Sequence, residues 1–519
     1  MKSFISSGIK YIAIFFLFLM ALPVTGQKKN ESGFLGKADL YKAKKDVLEY
    51  LGDSITVKNF GLISDSIWTY AELGMQEFKS SALLIKKLED EGFKVEKGVA
   101  GMPTCFVATW GNGKPVIGIL GEYDALPMIS QKALTPFQDP IINGAPGHGC
   151  GHNMMGTAGI AAVIAVKRSM KLNNLSGTIK FFGSPAEETL ISRPYMIRDG
   201  VFRDVDAVID NHASSNLGTG YGVSGNAVIS VLFSFKGKTA HAAGAPWNGR
   251  SALDGVELMN VATNYLREHL FYTYRMHYVI TEGGEAPNVV PDKATVWYYI
   301  RNTDDRLEET YQRVVDCAKG AAIASGVYLD SITVLSATHQ KHSNKALAEN
   351  LQRNIELIGL PEWTEAENIF AKSLQKELGA EESGYPVKIN PLRVPASAQS
   401  GGASTDVGEV SLIVPVATLN FPGEVPGSIG HHWSTVATVY GKAAWKGLIT
   451  GAKVMAATAL DLISKPKVLE EITTEFAEYS KKHPYKTFLP EGAMPPLYLN
   501  KELMDKYLKA GMDNKIEDE

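Results

Sequence analysis

From about residue 116 to residue 214, short apolar runs alternate with longer stretches of helical periodicity. Val116 to Leu120, Gly177 to Phe182 and Ala207 to Asp210 are continuous apolar segments rich in β-branched residues. Such runs predict strands buried on both faces. Met154 to Lys171 carries the longest helical pattern between them. Strand alternating with helix predicts a mostly parallel sheet covered by helices. Upstream, residues 36 to 110 read as helix, helix, strand.

The pattern then changes. Ala227 to Lys236 alternates with a period of two, Ser251 to His269 is helical, and Arg275 to Thr281 and Ala294 to Arg301 read as strands. Arg306 to Ser325 is helical and Val327 to Leu335 closes as a strand. The order β-α-β-β-α-β predicts a ferredoxin-like unit, inserted into the first. Beyond it, Asn344 to Leu378 reads as helical, Ile413 to Asn420 as a buried strand, and Val436 to Ser464 as a long Ala-rich helix. A charged helix and a Pro-rich stretch follow. The expected division is residues 27–222 with 338–519 as one discontinuous domain, and 223–337 as the insertion.

The first 26 residues have a different grammar. Lys2 and Lys10 precede the apolar run Tyr11 to Leu22, and small residues Val24-Thr25-Gly26 precede a polar Gln27-Lys28-Lys29. This predicts a signal peptide cleaved after Gly26 and an exported protein, periplasmic or secreted. The apolar run is short for a span of about 20 residues, so no membrane attachment is expected after cleavage. The 519-residue chain has a net charge of -4 and no basic patch, which excludes a nucleic-acid binder. Three cysteines do not make a disulfide framework; Cys105 and Cys317 read as apolar residues.

Cys150 differs because of its company. Gly147-His148-Gly149-Cys150-Gly151-His152-Asn153 packs a thiol and two imidazoles among glycines, just before the long helix. Thiolate and imidazole suit zinc-like ions. Asn153 suits an N-cap. Glu122 and Asp124, Glu187 and Glu188, and His212 each follow a predicted strand, where ligands of open α/β sheets bind. The adjacent Glu187 and Glu188 invite a cation: one carboxylate can bind metal while the other accepts a proton. His431-His432 follows the Gly/Pro-rich loop after the last strand. A nucleophilic Cys150 is an alternative, as is a metal-binding protein without catalysis; the first leaves the paired glutamates unexplained, and the complete set of ligands and base opposes the second.

Five segments in order resemble one family. Gly121-Glu122-Tyr123-Asp124-Ala125-Leu126-Pro127, Cys150-Gly151-His152, Pro185-Ala186-Glu187-Glu188, Lys238-Thr239-Ala240-His241-Ala242 and Pro287-Asn288-Val289-Val290-Pro291-Asp292 resemble the metal-dependent aminoacylases, hippuricases and auxin-conjugate hydrolases. Gly402 to Gly408 and Gly430-His431-His432-Trp433 are similar to the branch that cleaves p-aminobenzoyl-glutamate. The resemblance implies a catalytic domain of the zinc-peptidase type with an inserted dimerisation and lid domain. It implies two divalent ions, Mn or Zn, held by Cys150, His152, Glu188, His212 and a C-terminal His aligned with His431. It implies Glu187 as general base, with His241 and Asn288 reaching the substrate carbonyl, the His often from a neighbouring protomer. Asp124 is read as orienting ligands, His148 as structural, and Arg301 as a candidate contact for a substrate carboxylate. The implied activity is amide hydrolysis of N-acyl amino acids, with a dipeptidase or general aminoacylase as alternatives. The implied partners are a second copy, forming a homodimer, and a sister subunit.

Overall fold

The computed structural model describes residues 37–396 and 401–509. The expected signal peptide and the acidic chain end lie outside these residues.

The apolar runs of the sequence form the centre of a seven-stranded sheet. Its order is Lys94–Lys97, Phe106–Asn112, Gly177–Gly183, Val116–Gly121, Ala207–Ser214, Val416–Pro422 and Gly218–Thr219. The four central strands, Gly177–Gly183 to Val416–Pro422, are parallel, and the outer pairings are antiparallel. The sheet is therefore mixed, with a parallel core. Side chains alternate between two covered faces. Ile117, Ile119, Ile179, Phe181, Ile209 and Leu419 enter the core built with helices Lys37–Gly52, Ser54–Tyr70, His152–Asn173 and Gly441–Ser464. Leu120, Phe182, Val208 and Val416 enter a smaller core with Tyr195, Met196, Val407 and Val410. This two-sided burial is why these strands read as continuous apolar runs. Gly441–Ser464 is apolar and long enough to cross a membrane, yet it is buried in this core.

The helix His152–Asn173 sits unusually close to the sheet. A Cβ at Gly156 would lie 2.7 Å from the Glu122 carbonyl oxygen. Only glycine permits that approach, and it brings the start of the helix to the end of Val116–Gly121.

The second sheet has four antiparallel strands in the order Tyr328–Thr338, Ala227–Lys236, Lys293–Asn302 and Arg275–Glu282. Helices Ala252–Leu266 and Asp304–Ser325 cover one face, burying Val296, Tyr298 and Ile300. The intervening residues Trp297, Tyr299 and Arg301 point to the other face. The chain leaves the large sheet along Gly222–Ser224 and returns along Lys341–Ser343, and these two segments pair with each other.

Three local readings need correction. The N-terminal region has three helices, Lys37–Gly52, Ser54–Tyr70 and Phe78–Asp90, because Asp53 caps a new helix by accepting from Thr56 N at 2.9 Å. The segment Asn344 to Leu378 is two helices, Lys345–Ile358 and Glu365–Glu377, because Gly359 has φ 71 and Pro361 follows. Asn153 is not the N-cap: Gly151, with φ 74, holds that position, and the Asn153 amide donates to Ser64 Oγ and to the Val439 carbonyl.

Candidate metal centre

The site lies at the carboxyl ends of the parallel strands. Glu122 and Asp124 follow Val116–Gly121, Glu187 and Glu188 follow Gly177–Gly183, and His212 is near the end of Ala207–Ser214. His431 arrives on the loop after Val416–Pro422. Gly151 presses the Cys150–His152 corner against this row: a Cβ there would stand 2.5 Å from the Ala213 Cβ.

Asp124 ties two of these loops together. One oxygen accepts from His152 Nδ1 at 2.8 Å and the other from the Glu188 backbone N–H at 3.0 Å. With its Nδ1 proton used, His152 turns Nε2 into the cluster. That nitrogen lies 3.3 Å from Glu122 Oε2, 3.9 Å from Glu187 Oε2 and 3.8 Å from Glu188 Oε1. His212 donates Nδ1–H to the Ala213 carbonyl at 2.5 Å, which leaves Nε2 3.4 Å from Cys150 Sγ. His431 Nε2 lies 3.3 Å from Glu188 Oε2. His431 has φ 57, a left-handed conformation, and its N–H donates to the Gly149 carbonyl at 2.9 Å.

The next residue behaves differently. His432 Nδ1 faces Ser434, 3.0 Å from its Oγ, and caps the short helix Trp433–Val436. Of the two adjacent histidines, His431 is the one brought to the cluster.

Three sets of side chains converge closely enough to hold an ion: Cys150, His152 and His212; Cys150, Glu188 and His431; and Glu122, His152 and Glu187. Within each set the ligand atoms lie within 4.8 Å of one another. Cys150 belongs to the first two sets. A thiolate there would be shared between two cations.

The electrostatics require positive charge. Glu122 Oε2, His152 Nε2 and Glu188 Oε1 are buried without a hydrogen-bond partner among the described residues. Burial, with the charge on Glu122 next, holds Glu187 well above the usual carboxylate range. Burial pushes Glu188 up to about 8, against the partial relief given by His152. Burial and then the Glu188 charge push the Cys150 thiol up. Burial drives His152 down, but Cys150 and Asp124 outweigh it and hold the ring well above its ordinary value. Divalent cations reverse each of these costs by stabilising thiolate, carboxylates and neutral imidazoles together. The donor set therefore fits two divalent ions.

One protein cation serves the cluster from below. Arg193 is fully buried; its guanidinium meets Glu122 Oε1 at 2.7 Å and pairs with Asp406 Oδ1. Its backbone N–H and Ser192 Oγ also donate to Asp406, at 3.1 and 3.2 Å. Glu77 is a second hidden support. It accepts from Ala186 N–H at 2.7 Å and from Thr104 Oγ1 at 3.0 Å. Ala186 has φ 54 and immediately precedes Glu187, so Glu77 secures the turn that presents the two glutamates. Neither role was read from the sequence, although a lone arginine beside the apolar segment Pro194-Tyr195-Met196-Ile197 is a visible signal for Arg193.

His148 takes no part. Its Nε2 contacts the Ile67 carbonyl at 3.0 Å, and burial pushes its pKa down to about 3, so it is neutral. His241 and Asn288 also lie apart in this chain. Both are exposed. His241 Nδ1 accepts from the Gly244 N–H at 3.0 Å, and the Asn288 carbonyl accepts from Ala242 N–H at 3.0 Å. Neither lines the cavity of about 640 Å3 that opens over Cys150, Glu187, Glu188, His212 and His431.

An α/β sheet carrying a Cys, His and Glu cluster beside a raised glutamate defines a metal-site hydrolase. The comparisons agree. The family described as peptidase family M20/M25/M40 matches residues 118–460, and the chain belongs to it. Like others of that family, it is a hydrolase acting on amide bonds. The chain is 36% identical over 478 residues to one of the two kinds of chain named for the p-aminobenzoyl-glutamate hydrolase, that of Escherichia coli (strain K12), covering 87% of this chain and 99% of the relative. It is 28% identical over 467 residues to the Xaa-Arg dipeptidase of Mus musculus, covering 87% and 96%. Among solved structures it resembles the YXEP protein of Bacillus subtilis, described as a dinuclear metal-binding peptidase, with a TM-score of 0.51, 17% identity, and 79% and 99% coverage.

Proposed function

We propose that this chain is a two-metal amidohydrolase that releases an amino acid from an N-acyl amino acid, with p-aminobenzoyl-glutamate-like substrates favoured. The observation that carries this reading is the pair of ligand sets sharing Cys150 within reach of Glu187. The substrate preference draws support from the E. coli relative, and the two-ion count from the B. subtilis structure. Cys150, His152, Glu188, His212 and His431 hold the ions, manganese or zinc. When bound, such ions lower the pKa of a water and polarise an amide carbonyl.

The chain's own groups do the rest. Cys150 acts as ligand, not as nucleophile. Asp124 fixes the tautomer and direction of His152. Glu187 accepts the proton from water and returns it to the leaving amine nitrogen. His241 and Asn288 supply oxyanion contacts from a second copy, which is why neither reaches its own cluster. The smaller sheet then serves as dimerisation surface and lid, with residues 223–337 as its domain. The E. coli relative is named as a subunit, and a homolog of the other kind of chain in that hydrolase, from Haemophilus influenzae, also matches. This reading therefore includes a sister subunit, and it includes export directed by residues 1–26.

The test is hydrolysis by the purified chain, stripped by chelator and reloaded with manganese or zinc. The panel is p-aminobenzoyl-glutamate, hippurate and an Xaa-Arg dipeptide. Metal-dependent release of p-aminobenzoate is expected. Chelator-resistant cleavage would return Cys150 to the role of nucleophile, and no cleavage of any member would overturn the reading. Preference for the dipeptide would favour a dipeptidase, the second reading, which the mouse relative supports.

A further inference from the structure

The carboxyl- and thiol-lined floor of the cavity faces a cationic wall. Arg301, Lys341 and Arg393 line the same space as Cys150 and Glu188. Outside the ligand cluster, Glu424 is the one carboxylate among the described lining residues. Burial pushes it up to about 8, so it cancels little of that positive charge near neutral pH. The three cations come from different places: Arg301 from the helix-free face of the smaller sheet, Lys341 from the paired crossing, and Arg393 from the loop beside Gly220.

Lys341 is the most deeply set. Its side chain is 16% exposed. The ammonium donates to Thr418 Oγ1 at 2.7 Å, and Thr418 donates in turn to Asp210 Oδ2 at 2.7 Å. Asp210 itself stays 3.9 Å from the ammonium. An ammonium has three protons to donate, and this relay engages one. Burial, with Arg393 close by, pulls the Lys341 ammonium below its ordinary range against the opposing charge of Asp210, and an anionic ligand in the cavity relieves that cost. Arg301 adds a buried Nε without a hydrogen-bond partner among the described residues.

Strand register sets the distance from the metal ligands. Asn420 pairs with His212, and Thr418 pairs with Asp210. The Lys341 relay therefore sits two residues below the level of His212, about 6.6 Å along the strands at ~3.3 Å per residue. In an N-acyl glutamate, five bonds of about 1.3–1.5 Å separate the amide carbon from the side-chain carboxyl carbon, an extended reach of roughly 6 Å.

We infer that Lys341, braced by Thr418 and Asp210, holds the side-chain carboxylate of an acidic N-acyl amino acid and so makes the site selective for glutamate-type substrates. This rests on the amidohydrolase reading above. The same wall opposes an arginine side chain in that position, which separates this chain from the Xaa-Arg dipeptidases it resembles.

The test compares N-benzoyl-glutamate with N-benzoyl-glutamine on the full chain loaded with manganese. The two share the α-carboxylate and differ only at the side-chain terminus. The expected ratio of kcat/KM is about 10- to 100-fold in favour of glutamate, the range for one charge-assisted hydrogen bond. Lys341→Met should collapse that ratio to below about threefold, Thr418→Val should lower it partway, and Lys341→Arg should restore part of it. An unchanged ratio in Lys341→Met, or no preference in the native chain, overturns the inference. If neither amide is cleaved, the N-acyl-glutamate reading fails separately from the subsite, and titration with glutarate and butyrate still tests the subsite. Glutarate should bind at least about tenfold tighter than butyrate to the native chain, and equally to Lys341→Met; equal binding to the native chain overturns it.

Discussion

The strand ends of the large sheet and the loops of the small sheet treat their polar residues in opposite ways. At the metal centre most side chains answer to a buried partner: His152 to Asp124, Glu122 to Arg193, His212 to the Ala213 carbonyl. At the small sheet, His241 and Asn288 stand exposed and are held by contacts within their own loops. The first region is preorganised by its own core. The second holds His241 and Asn288 outside the cavity over the cluster among the described residues. Positioning by packing is available only where a core exists, and in the two-copy proposal the loops of the small sheet take their target from a second copy.

Chelation gives the largest test of this contrast. It should abolish activity and lower the Tm, with both restored by manganese or zinc; a chelated chain with unchanged Tm would mean the strand-end cluster binds no ion. Glu187→Gln comes next, with an expected loss of about 10²–10⁴-fold in kcat, the range for a positioned acid–base group, and with metal content unchanged by elemental analysis. His241→Ala should cost about 10²–10³-fold, the scale for one oxyanion donor, while leaving the Tm nearly unmoved. Mixing His241→Ala with Glu187→Gln should then regenerate activity in mixed dimers; no recovery would place both halves of the site in one copy. Arg193→Met should act through stability instead, costing about 3–5 kcal/mol in a denaturant titration, because it strands Glu122 and Asp406 as buried unpaired charges. The smallest effect is His432→Ala, about 1 kcal/mol for a lost helix cap, with metal content intact. Loss of metal in that variant, and not in His431→Ala, would exchange the roles of the two histidines.

Much of this was legible in the sequence, and the reasons are specific. The central strands could be read because both of their faces are buried, so Val116 to Leu120 and Ala207 to Asp210 stand out as unbroken apolar runs. The cluster could be read because Glu187, Glu188 and His212 follow such runs directly and Cys150 stands among glycines at the start of the long helix. The supports could not. Arg193 and Asp406 are far apart in the chain, and only the fold makes them partners. Glu77 stands in no motif, and only the fold buries its carboxylate under Ala186. Lys341 carries no motif; its meaning comes from the register of two strands it does not belong to.

The paired crossing segments have one more consequence. Ser224 and Lys341 are direct neighbours on adjacent strands, a separation of about 4.8 Å. Everything between them therefore enters and leaves the large sheet through a single doorway. A two-residue Asn-Gly turn could close that gap as an ordinary hairpin, with little loop-closure entropy at stake. In modular terms the smaller sheet is a cassette hung from this crossing, and it also leans on the large domain, where the Tyr195 hydroxyl donates to the Leu335 carbonyl at 3.0 Å.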